Sequence, residues 1–173
     1  MHKWMRAMAP VGLILFGAGG ASGLQAQATG NPACALLTAA DLKQATGQAY
    51  DGPSPGDDMG QGAGGGASCQ WGEPFDQTLP MISVVLIPSN GKKGYTEATR
   101  GFKARPGCAR EPVSGVGDDA YVETCEGGRG PVVYFRKGKN DGLVQVDAVK
   151  PAAPASVKPK AIALAKAVVM HMP

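Results

Sequence analysis

Nucleophilic catalysis by this chain would have to come from a sparse set of side chains, because its 173 residues hold only two histidines and four cysteines. A serine or cysteine nucleophile needs an imidazole placed beside it as base. Here His2 falls in the N-terminal segment read below as a cleaved signal, and His171 stands close to the last residue, where chains commonly fray. Met170-His171-Met172 sets two thioethers about one imidazole, a soft donor set that suits copper. The simpler reading is a helix end whose methionines pack on the sheet. Asp57-Asp58 and Asp118-Asp119 offer carboxylates for acid–base work. Neither pair follows the alternating oxygen-ligand spacing of a calcium loop, and aspartates in glycine-rich stretches are mainly turn formers. Gly60 to Gly66 lacks a following Gly-Lys-Ser/Thr and opens no helix after a strand, so it reads as a flexible linker rather than a phosphate loop. No cofactor and no resident metal are expected.

Charge is the next source of chemistry. Within Gly91 to Arg110, the side chains Lys92, Lys93, Arg100, Lys103, Arg105 and Arg110 face one acid, Glu97, for a local charge of +5. Such a segment suits an anionic envelope polymer or an acidic protein partner. The alternative is a solvated helix face balanced by Glu111, Asp118 and Asp119. The whole chain carries only +3, and that falls to +1 once Lys3 and Arg6 are removed as below. Net charge therefore gives no argument for nucleic acid.

The N-terminus reads as an export signal. Lys3 and Arg6 precede the apolar run Val11 to Phe16, and Ala26 and Ala28 occupy the −3 and −1 positions of an A-x-A cleavage site. The run and its glycine-rich extension fall short of the roughly 20 apolar residues that span a bilayer. The expected organisation is a signal peptide over 1–28 and one domain over 29–173, periplasmic or secreted, with no membrane span after signal removal.

In an exported chain, Cys34, Cys69, Cys108 and Cys125 read as two disulfides, for which three connectivities exist. Pairing neighbours along the chain, Cys34 with Cys69 and Cys108 with Cys125, avoids crossing and is preferred. Each bridge would contribute roughly 3–4 kcal/mol in the chain-entropy model. A zinc site is the functional alternative, but no Cys-x-x-Cys or Cys/His cluster is present. Trp71, two residues after Cys69, reads as a ring packed on a disulfide, with a carbohydrate platform as the alternative.

The elements that must position these groups follow from spacing. Leu37-Thr38-Ala39-Ala40-Asp41-Leu42 predicts a helix capped by Thr38 with Asp41 three residues on, Leu37 stapled against Leu42, and Gly47 as its stop. A Gly/Pro-rich loop follows near 51–67. Strands are expected over Ser68 to Gly72, Met81 to Ile87, Ala120 to Cys125, Val132 to Arg136 and Leu143 to Val149, the last two joined by a hairpin through Lys137 to Gly142. Lys93 to Lys103 suggests a second helix, and Ser156 a cap for a closing helix carrying Ile162, Ala165, Val168 and Val169. The predicted class is α+β: an antiparallel sheet of about five strands packed by two or three helices and stapled by disulfides.

Cys34-Ala35-Leu36-Leu37-Thr38-Ala39-Ala40-Asp41-Leu42, then Cys69-Gln70-Trp71, then Val116-Gly117-Asp118-Asp119-Ala120-Tyr121 and a closing helix resemble a set of small bacterial envelope proteins. These are mostly lipoproteins and secreted proteins grouped as a domain of unknown function. The resemblance implies a Cys34–Cys69 bridge and an α+β fold, and it supplies no activity. The chain departs from the lipidated members, since Asn31-Pro32-Ala33 before Cys34 is not a lipobox. The functional expectation is an exported, non-catalytic binding or accessory module of the envelope, contacting a protein or an anionic polymer. The alternative is a small carboxylate-dependent hydrolase or inhibitor-like factor.

Overall fold

The computed structural model describes residues 30–56, 66–73, 78–88, 104, 106–149 and 154–173. The signal segment with Ala26 and Ala28, the Asp57-Asp58 pair, most of the glycine run, and the helix expected over Lys93 to Lys103 lie outside the described residues. So do Lys92, Lys93, Arg100, Lys103 and Arg105.

Helix α1 spans Ala39–Thr46 and starts as its sequence predicts. Asp41 N donates to Thr38 Oγ1 at 3.1 Å, and Thr38 N donates to Asp41 Oδ2 at 2.8 Å. This reciprocal capping box satisfies two donors that the first turn would otherwise leave open. Leu37 and Leu42, flanking the cap, are buried in one core. Gly47 ends the helix at φ +79°, its N–H donating to Lys43 O at 2.8 Å, in a left-handed conformation that glycine adopts without a Cβ penalty.

Among the described residues, seven strands form one open antiparallel sheet. They are β1 (Ser54–Pro55), β2 (Ala67–Trp71), β3 (Ile82–Pro88), β4 (Cys108–Pro112), β5 (Asp119–Cys125), β6 (Val132–Lys137) and β7 (Asn140–Val146). The order across the sheet is β1-β2-β3-β7-β6-β5-β4. The α+β class with an antiparallel sheet thus stands, but with seven strands instead of about five. The two additional strands are the outermost. β1 has two residues, and β4 reads Cys-Ala-Arg-Glu-Pro, which shows no apolar alternation because an edge strand buries little.

Alternate residues of the inner strands point to one side and make the core. Cys69 and Trp71 of β2, Ile82 and Val84 of β3, Val144 and Val146 of β7, Val133 and Phe135 of β6, and Ala120 and Val122 of β5 are all buried there. Helix α2 (Lys158–His171) covers this face with Ala161, Leu164, Ala165 and Val168, all fully buried. Ser156 does not cap it. Ser156 lies in the 3-10 turn Pro154–Val157, and Val157 occupies the cap position with no side-chain hydrogen bond. Pro159 in the first turn explains how this is tolerated, because proline has no N–H to satisfy. At the other end Lys137 Nζ donates to Val169 O at 3.0 Å and Met172 O at 2.5 Å, closing the last carbonyls. No helix among the described residues is long and apolar enough to cross a membrane.

Two disulfides staple this frame, Cys34 to Cys69 and Cys108 to Cys125. The first ties the 3-10 turn Pro32–Ala35 to β2, reinforced by Asn31 Nδ2 donating to Ser68 O at 2.8 Å. The second joins directly opposed residues of β4 and β5.

Candidate functional site

The face of the sheet turned away from α2 carries the polar side chains of β4 to β7. Cys108 and Arg110 of β4 share it with Tyr121, Glu123 and Cys125 of β5, Tyr134 of β6 and Gln145 of β7, as the strand register requires. Arg110 Nε donates to Glu123 Oε2 at 2.6 Å across the strand pair. The Arg110 guanidinium carbon stands 5.2 Å from the Tyr121 ring centroid, and that ring stacks on Tyr134 with centroids 4.8 Å apart at 21°. The arrangement combines cation–π contact, aromatic stacking and a charge-assisted hydrogen bond.

Glu123 is only 3 % exposed, and a buried carboxylate persists only when it is paired and hydrogen-bonded. Burial by itself lowers the proton affinity of Arg110. The hydrogen bond and charge of Glu123 outweigh that and hold the guanidinium pKa above its ordinary value. Arg110 is therefore a fixed cation, placed by β4 and held by β5.

The Cys108–Cys125 bridge separates two concavities at this corner. One, of about 360 Å³, is lined by the bridge together with Glu123, Arg129, Val132 and Gln145. The other, of about 510 Å³, lies toward the helix side between β4, Thr124 and the Ala155–Lys158 region. Lys158 Nζ donates to both oxygens of Glu111 at 2.8 and 2.9 Å on its rim. Thr124 Oγ1 is buried and has no hydrogen-bond partner among the described residues. Such a hydroxyl could meet a polar group of a bound molecule.

A carboxylate oxygen of Glu123 and the sulfurs of Cys108 and Cys125 all lie within 4.8 Å of one another. While the bridge stands, neither sulfur is a thiolate and neither can act as nucleophile or metal ligand.

The other sequence candidates fall elsewhere. Asp118 is a turn former: its Oδ2 accepts from Gly138 N at 2.6 Å, and its own N–H donates to Arg136 O at 2.7 Å. Asp119 begins β5 in register with Arg136, which is itself opposite Asp141 of β7. Met170, His171 and Met172 do not converge. Met170 is 72 % exposed, Met172 is in the core, and His171 Nε2 lies 3.2 Å from Asp41 Oδ2. Trp71 is buried beside Cys34 and Cys69 and offers no platform to solvent. Of the six basic residues expected to meet an anionic partner, Arg110 alone falls within the described residues, and it is engaged with Glu123.

The sequence reading missed Glu123, Tyr121, Tyr134 and Gln145. One signal for the first was present. If Cys108 and Cys125 are opposed on antiparallel strands, then Arg110, two residues after the one, must face Glu123, two before the other. Comparisons with family models, with curated proteins and with solved structures find no match to this chain.

Proposed function

We propose that this chain is an exported, non-catalytic binding or accessory module of the bacterial cell envelope, periplasmic or secreted. Its recognition surface is the Cys108–Cys125 corner together with the basic segment that leads into it. The partner is an envelope protein or an anionic polymer. The observation that carries this reading is the placement of two cavities on either side of the bridge, at the start of β4. Concave, partly apolar sites with a few placed polar groups are the usual form of a binding site. The two disulfides support an oxidising compartment.

The catalytic alternative has less behind it. Asp118 is spent on the Gly138 turn, His171 on Asp41, and all four cysteines on bridges. A hydrolase using Asp118 and Asp119 would have to give up that turn contact to free its carboxylate.

Isothermal titration with polyphosphate as the anionic probe tests the binding surface. Reversing Lys92, Lys93, Arg100, Lys103 and Arg105 to glutamate should weaken binding at least about tenfold, with the largest loss at low ionic strength. An affinity unmoved by the reversal removes the basic segment from the reading. Mass spectrometry of the non-reduced protein tests export: a chain beginning at Thr29 and lighter by four hydrogens is expected, and retention of the signal overturns it.

A further inference from the structure

We propose that reduction of the Cys108–Cys125 bridge converts this corner into a binding site for a thiophilic divalent cation, zinc(II), held by the two thiolates and Glu123. This goes beyond the binding reading and does not depend on it. The three donors are on one face of two paired strands, with Glu123 two residues before Cys125 and Cys108 directly opposite Cys125. Their ligand atoms already lie within 4.8 Å of one another. Two thiolates on one tetrahedral zinc stand about 3.7 Å apart, given a Zn–S distance of about 2.3 Å, so opening the bridge needs side-chain rotation but no strand movement. The ladder between β4 and β5, five residue pairs long, keeps both strands in place when the sulfurs part.

Charge also fits. Two thiolates, one carboxylate, one guanidinium and one divalent cation sum to zero, which suits a site built around the buried Glu123. Arg110 holds one carboxylate oxygen at 2.6 Å and acts as a positioning residue for Glu123. Three protein ligands leave the fourth position open toward the cavity of about 360 Å³, the arrangement of an open zinc site.

The two bridges differ in access. Cys34 and Cys69 are buried at 7 % and 0 % exposure, whereas Cys108 and Cys125 are partly exposed at the sheet edge. Thiolate attack therefore reaches the second bridge first. In that step a small dithiol closes into its cyclic disulfide, and its two hydrogens pass to Cys108 and Cys125. The cation then displaces both thiol protons to solvent.

The test is cobalt(II) titration of the full chain after dithiothreitol treatment and anaerobic desalting. One cobalt per chain is expected, with a sulfur-to-cobalt charge-transfer band and the visible bands of a tetrahedral site; zinc should bleach both. Glu123→Gln should keep the charge-transfer band but weaken binding at least about tenfold. The proposal is overturned by equal binding to the oxidised protein, by an absent band in the reduced protein, or by undiminished affinity in the glutamine variant. A band that survives in the Cys108→Ser/Cys125→Ser variant would place the metal at the other cysteine pair and overturn it as well.

Discussion

His171 Nε2 lies 3.2 Å from Asp41 Oδ2, so the last turn of the closing helix is tied to the first turn of α1. Asp41 serves two neighbours at once, because the same oxygen accepts from Thr38 N. Burial pushes its carboxyl pKa up, but the hydrogen bonds from Thr38 and the nearby His171 more than offset that and leave it below the ordinary value.

A carboxyl whose pKa is depressed by folding adds stability above its unfolded pKa, and that contribution disappears as pH falls through the folded value. Asp41→Asn should therefore cost about 1 kcal/mol at neutral pH. The gap should close as pH falls below the ordinary carboxylate value of about 3.9. Urea denaturation of both proteins at several pH values checks this; a gap that is constant with pH would contradict it.

Removing the guanidinium from the Arg110–Glu123 pair strips a buried carboxylate of its counter-charge. Arg110→Ala should destabilise by about 3 kcal/mol, and Glu123→Ala alone by less. The double variant should recover part of the loss, which a double-mutant cycle measures as coupling between the two sites.

Gly117 and Gly138 both have positive φ, +59° and +57°, but differ in surroundings. A Cβ on Gly117 would run into the carbonyl of Arg136, while one on Gly138 meets nothing within 4 Å. Gly138→Ala should then cost about 1 kcal/mol for the left-handed backbone alone. Gly117→Ala should cost about 3 kcal/mol or more, since the backbone carbonyl cannot move without breaking the turn that Asp118 makes. Thermal unfolding of the pair resolves the difference.

Lys137 closes the C-terminal carbonyls of α2 through Val169 O and Met172 O. Lys137→Met keeps the aliphatic stem but not the donor, and should lower stability by about 1 kcal/mol. Amide exchange should quicken in the last turn of the helix and leave α1 unchanged.

Local rules carried much of the architecture. The Thr38 cap, the Asp41 partner and the Gly47 stop are short-range chemistry, and the helix spans Ala39–Thr46 between them. The β6–β7 hairpin was equally legible, though tighter than expected, with Lys137 already paired to Asn140 around Gly138-Lys139. β4 was not legible, because its hydrogen bonds come from β5 and its side chains are charged or exposed. For the same reason the Arg110–Glu123 pair and the Tyr121–Tyr134 stack escaped notice. They exist only once strands far apart in sequence are set in register. The Cys108–Cys125–Glu123 cluster was not legible as a zinc site, since the two cysteines are 17 residues apart and meet through strand pairing instead of a short motif.

The position of β7 bears on how the molecule is made. The last strand in the chain sits between β3 and β6, so it alone joins the first three strands to the other three. Until it emerges, β3 presents the apolar run Ile82 to Ile87 with an open row of backbone donors and acceptors, a template for unwanted pairing. The register Ile82↔Val146 closes a loop of 64 residues, which makes this a late contact. A chain lacking β7 leaves β3 and β6 without their shared neighbour, and stopping translation before Asn140 should yield aggregates that a chaperone must hold.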